Sequence, residues 1–216
     1  MNNKIKSKCA FTLAEILITP VIIGIVAALT ISAVINTYVE RSTISKVKKG
    51  LSTLAQAKKL AEFQDGPIQS WNFEKSWTKE AAANFFSYIK PYLSLAKDCG
   101  ASTDCYQNNG VKYLNNTTSF NYNTDDRYYK FVLADGGVMW FAIYPGGCNS
   151  SSKGCADFIY DINGSKKPNT EGRDIFHYTM SINGVSPVNS DTCNKNSQGW
   201  GCAGYIIRNN NMNYLH

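Results

Sequence analysis

Twenty consecutive residues without a charge, Ile16–Ile35 (ILITPVIIGIVAALTISAVI), constrain this chain more than any other feature. As a helix they span about 30 Å, the thickness of the hydrocarbon core of a bilayer. Residues 1–10 are polar and basic, with Lys4, Lys6 and Lys8. Basic residues before an apolar span predict a short cytoplasmic N-terminus and a large C-terminal part on the far side. A secretory signal would have a shorter apolar run followed by a small-x-small site. Here Asn36, Tyr38 and Glu40 follow instead, and Cys9 precedes the run, which also argues against a lipoprotein box.

Glu15 stands at the edge of this span. A carboxylate costs about 2.5–3.5 kcal/mol at mid-bilayer and less toward the interface, so it either sits at the headgroup boundary or has a partner. The segment Lys6-Ser-Lys-Cys-Ala10 followed by Phe11-Thr-Leu-Ala-Glu15 and the apolar run resembles the class III signal of type IV prepilins and type II secretion pseudopilins. The match covers roughly residues 4–35. The resemblance implies cleavage by a prepilin peptidase between Ala10 and Phe11, and N-methylation of Phe11. It also implies pairing of Glu15 with the N-terminal amine of a neighbouring subunit, which would supply the missing partner. Two residues depart from the family pattern: Ala10 stands where Gly is usual, and Pro20 lies inside the span, where it forfeits one backbone hydrogen bond and predicts a kink.

There are seven cysteines: Cys9, Cys99, Cys105, Cys148, Cys155, Cys193 and Cys202. Loss of Cys9 with a leader would leave six, in three local couples. Proximity favours 99–105, 148–155 and 193–202 among the 15 pairings that six cysteines allow. Disulfides fit an exported head; free thiols in a cytosolic chain are the competing reading. No C-x-x-C knuckle points to zinc.

Beyond Ile35 the pattern turns amphipathic. Ile44, Val47, Leu51 and Leu54 recur at helical spacing with lysines between them, and Gly66-Pro67 ends the run. One helix from Leu13 to about Phe63 is expected. A second is expected over Thr78–Ala96, with Thr78 as its cap and Pro91 interrupting its apolar face. Residues 97–127, rich in Asn, Ser, Thr and Asp, read as a long loop. Tyr128–Ala134 and Val138–Tyr144 flank Asp135-Gly-Gly137, a hairpin signal, and Phe158–Ile162 and Asp174–Ile182 are further strands. The expected class is α+β and pilin-like: a long N-terminal helix packed on a small antiparallel sheet, with loops stapled by disulfides. Its parts are a leader (1–10), a membrane and filament-core helix (11–35), an amphipathic continuation (36–65) and a periplasmic or extracellular head (66–216).

Asp161-Ile-Asn-Gly-Ser-Lys-Lys-Pro-Asn169, followed by Gly172-Arg-Asp174-Ile-Phe176, looks like a C-terminal stretch of pseudopilin-like proteins. Major pseudopilins often hold calcium in this region. The resemblance therefore offers Asp161, Asn163 and Asp174 as oxygen ligands, while on their own these residues also make ordinary turns.

No G-x-S-x-G, H-E-x-x-H or Walker loop is present, and the reading is of a chain that is not an enzyme. His177 reads as a strand-face residue and Asp125-Asp126 as a solvated loop pair. The aromatics are scattered along the chain and argue for no carbohydrate platform. A formal charge of +6, falling to 19 basic against 16 acidic residues without the leader, is too mild and dispersed for nucleic acid as main partner. The expected partners are prepilin peptidase, copies of the chain and other pilins or pseudopilins, inner-membrane assembly machinery and, before assembly, lipid. The alternatives are a membrane-tethered enzyme or binding domain, and a minor competence pseudopilin that binds DNA.

Overall fold

A computed structural model describes residues 12–74, 76–107, 110–146, 148, 154–188, 191 and 193–216. The chain divides into two compact units, Met1–Glu40 and Arg41–His216.

The first helix, α1, runs from Leu13 to Asp65 and passes through Pro20 without interruption. Its start is a capping box: Thr12 Oγ1 accepts from the Glu15 amide at 3.3 Å, and Glu15 Oε2 accepts from the Thr12 amide at 2.8 Å. This reciprocal pairing satisfies two amides that a helix end leaves orphaned. In the first unit the apolar side chains face outward, with Ile16, Ile23 and Leu29 exposed. Polar side chains there turn back onto the backbone: Thr19 Oγ1 donates to Glu15 O and Thr30 Oγ1 to Val26 O. This is the one helix among the described residues long and apolar enough to cross a membrane.

Within the second unit α1 carries a buried stripe, Ile44, Val47, Leu54, Ala57 and Ala61, at three- and four-residue spacing. Gly50 lies on the same stripe. A Cβ there would come within 2.7 Å of the Tyr160 ring, so the close approach of helix and sheet requires glycine. Tyr178 Oη donates to Val47 O at 2.9 Å across this seam.

α2 (Lys79–Ile89) starts at Thr78, whose hydroxyl accepts from the Ala81 amide. It buries Ala81, Ala82, Phe85, Phe86 and Ile89. The expected continuation to Ala96 does not occur. Pro91 cannot donate to the helix ladder, the backbone tightens into a 3₁₀ turn at Lys90–Tyr92, and the chain then becomes a strand.

That strand, β1 (Leu95–Gly100), opens a six-stranded antiparallel meander with β2 (Tyr129–Leu133), β3 (Val138–Ile143), β4 (Ala156–Asp161), β5 (Ile175–Ser181) and β6 (Gly184–Pro187). β1 replaces the first part of the loop expected over 97–127. Alternation sorts the side chains into two faces. Phe131, Met139, Phe141, Phe158, Tyr160 and Phe176 join α1 and α2 in one apolar cluster. Phe141 stacks on Phe158 at 4.9 Å, and Phe86 on Phe131 at 4.9 Å. The other face presents Val138, Trp140, Ile159 and Ile175, with Lys130, Asp157 and His177 beside them, and is covered by loop residues such as Tyr106, Val111 and Tyr122. Every residue of β3 is buried, so both faces are covered.

Three disulfides, Cys99–Cys105, Cys148–Cys155 and Cys193–Cys202, close short loops. The last begins α3 (Cys202–Asn209), a helix the sequence pattern did not declare; it buries Ile206 and ends on Asn210 in the left-handed region.

Candidate functional site

Of the processing residues, Ala10 and Phe11 lie outside the described residues. Glu15 is described, and its carboxylate is held by Thr12 through both the amide and the hydroxyl, the latter donating at 2.7 Å.

The candidate metal ligands gather on the loop-covered side of the sheet. β4 ends at Asp161 and β5 begins just after Asp174, and the 162–174 connection brings Asn163 to both. Asp161 Oδ1 accepts from the Asn163 amide at 3.0 Å, and Asn163 Nδ2 donates to Asp174 Oδ2 at 3.3 Å. Asp174 also accepts the amides of Thr170 (2.6 Å) and Asn169 (2.8 Å). Burial pushes the Asp174 carboxyl up to about 6 against the pull of those amides. Burial, then the neighbouring Asp174, holds Asp161 well above the usual carboxylate range. The Tyr106 hydroxyl lies between Asp161 Oδ2 (3.0 Å) and Asn169 Oδ1. One hydroxyl proton serves only one acceptor at a time, so Tyr106 donates to Asp161 or to Asn169.

Asn163 Oδ1 is buried with no hydrogen-bond partner among the described residues. Two buried carboxyls and an orphaned carbonyl oxygen are oxygen donors of the kind a hard divalent cation takes. Among the described residues no three acidic, His or Cys side chains are placed to hold a metal ion, so backbone oxygens would have to complete such a shell.

Next to this cluster lies a buried ion pair that the sequence reading missed. His177 Nε2 meets Glu171 Oε2 at 2.8 Å, and Nδ1 faces Asp157 Oδ2 at 3.8 Å. Burial opposes charge on the imidazole, but Glu171 and Asp157 outweigh it and hold the ring up at about 10. Glu171 Oε1 further accepts from Tyr122 (2.9 Å) and Ser119 (3.3 Å). His177 is on a strand face as expected, yet it is buried and paired rather than idle. Asp125 likewise is not merely solvated: it grips the Arg127 guanidinium through both of its carboxylate oxygens.

Above this pair the aromatics converge, contrary to the scatter expected from sequence. Trp77, Phe120, Tyr144 and Trp200, each about 40% exposed, rim a cleft of about 330 Å³. Buried Tyr122 and Tyr128, packed edge to face at 5.4 Å, lie beneath them. Arg127 sits 4.7 Å over the Trp77 ring, His177 lies 5.8 Å from Trp200, and Asp157 lines the same hollow. Gly199 fixes the Trp200 side. A Cβ there would fall 2.6 Å from Glu171 O, and its backbone is left-handed (φ +92°).

No protein-family model, curated protein or solved structure matches the chain.

Proposed function

We infer that the chain is a pilin or pseudopilin, a structural subunit of a type IV pilus-like or type II secretion filament. The observation that carries this reading is the charge-free stretch of α1 with a single carboxylate at its N-terminal end. In this reading prepilin peptidase removes residues 1–10 on the cytoplasmic side and the Phe11 amine is methylated. The helix waits in the inner membrane with residues 66–216 on the far side. A separate machine then extracts it so that helix packing replaces lipid packing. The capping box supports a specific role for Glu15. An incoming ammonium would meet a carboxylate already oriented by Thr12, and the desolvated pair would favour one register between subunits. The same reading has Asp161, Asn163 and Asp174 holding calcium in the head, where the ion would neutralise two buried carboxyls and rigidify the loop they share.

Replacing Glu15 with Gln tests the assignment: the chain should still insert in the membrane but fail to polymerise, and unaltered polymers would overturn it. Mass spectrometry of the mature chain should find an N-terminal Phe11 heavier by about 14 Da, one methyl group. For the metal, added calcium should raise the thermal midpoint of the full chain, and Asp174→Ala should abolish the rise.

A further inference from the structure

We propose that the aromatic cleft of the Arg41–His216 unit is a carbohydrate-binding site that takes one or two pyranose rings. The proposal concerns this unit alone and stands whether or not the chain polymerises.

Soluble domains seldom leave several large aromatics half exposed around a single hollow without a use for them. Here Trp77, Phe120, Tyr144 and Trp200 come from four separate segments and meet at one place. Flat aromatic faces suit the C–H faces of a sugar ring. A few polar groups at the margin suit its hydroxyls, and this cleft has both kinds: the Asp157 carboxylate accepts and the Arg127 guanidinium donates. The volume, about 330 Å³, lies at the small end of ligand clefts.

The same groups weigh against other occupants. A purely apolar ligand would strip water from Asp157 and Arg127 and give them nothing in return. A phosphate-bearing strand would find a single guanidinium already neutralised by Asp125, with the Asp157 carboxylate nearby to repel it. An organic cation would find a face of Trp77 already taken by the Arg127 guanidinium, 4.7 Å from the ring centroid.

The site is also built to hold its shape. Tyr122 and His177 are both anchored on Glu171, and Trp200 lies in the loop closed by Cys193–Cys202. Rings locked before the ligand arrives lose little freedom on binding.

Saturation-transfer NMR on the full chain, in a polyoxyethylene detergent free of sugar headgroups, tests this with cellobiose, lactose, maltose and N,N′-diacetylchitobiose as probes. At least one should receive saturation at its ring C–H protons and perturb tryptophan fluorescence. Trp200→Ala should weaken that binding about tenfold or more, with near-ultraviolet circular dichroism showing the fold intact. Should that variant misfold, Phe120→Ala provides the same readout from another part of the rim. Asp157→Asn should change the order of preference among the four sugars. The proposal is overturned by no transfer to any of them up to about 10 mM, by transfer that survives both aromatic substitutions, or by choline or an oligothymidylate displacing the sugar.

Discussion

The two faces of the meander use opposite chemistry. Toward α1 and α2 the contacts are nearly all apolar, aromatic on aromatic, and each helix satisfies its own backbone. Toward the loops the sheet meets segments whose amides and carbonyls have no ladder of their own, and buried charge accumulates there: Lys130, Glu171, Asp174 and His177. Lys130 Nζ shows the reason, donating to Ala101 O at 2.9 Å and to Asp125 O at 3.1 Å, carbonyls that irregular chain would otherwise bury unpaired. All three buried side-chain atoms without a partner among the described residues (Asn123 Oδ1, Trp140 Nε1 and Asn163 Oδ1) belong to this side as well. The helix-covered face specifies the fold; the loop-covered face carries both candidate sites.

This contrast can be tested from the largest effect downward. Phe158→Ala on the helix side and Glu171→Ala on the loop side should each cost about 3–5 kcal/mol, the first by leaving a cavity, the second by leaving His177 buried without its partner. Denaturant unfolding of the oxidised chain measures both, and a cost under about 1 kcal/mol for Glu171→Ala would erase the distinction between the faces.

Two buried groups on the loop side set a pH dependence of their own. Asp174 is held up at about 6, above the ~3.9 of a free aspartate. Its stabilisation is complete below about pH 4 and lost as pH rises through 6. His177 is held at about 10, above the ~6.5 of a free imidazole. Its stabilisation is complete below about 6.5 and lost as pH rises through 10, a decline on the order of 3–5 kcal/mol. Thermal melts without added metal should therefore fall in two stages with rising pH, and His177→Gln should flatten the second.

Gly50→Ala gives the smallest effect and probes the helix side. Alanine favours a helix by about 1 kcal/mol, yet the Tyr160 ring leaves no room, and a net loss of about 1–3 kcal/mol is expected. A net gain would mean that this face is less tightly packed than the contacts require.

Legibility in the sequence followed the same division. Local patterns announced α1, the start of α2, the β2–β3 hairpin and the three disulfides, because periodicity, caps and proximity are local signals. β1 escaped because an edge strand with Lys97 and Asp98 exposed has no apolar alternation to read. α3 escaped because its eight residues sit in a Gly- and Asn-rich tail. Asp161, Asn163 and Asp174 were offered by the resemblance to pseudopilin-like proteins, and they are adjacent in space. The Glu171–His177 pair and the aromatic cleft were not legible, since Trp77, Phe120, Asp157 and Trp200 are brought together only by the meander and its covering loops.

The rims of the sheet carry one more consequence. β1 is broken by two register irregularities and carries charge outward, while β6 has four residues and stops at Pro187. Neither offers a neighbouring copy a straight row of free amides and carbonyls. Copies of the Arg41–His216 unit brought side by side at high density would therefore touch without zipping into a shared, irreversible cross-strand array.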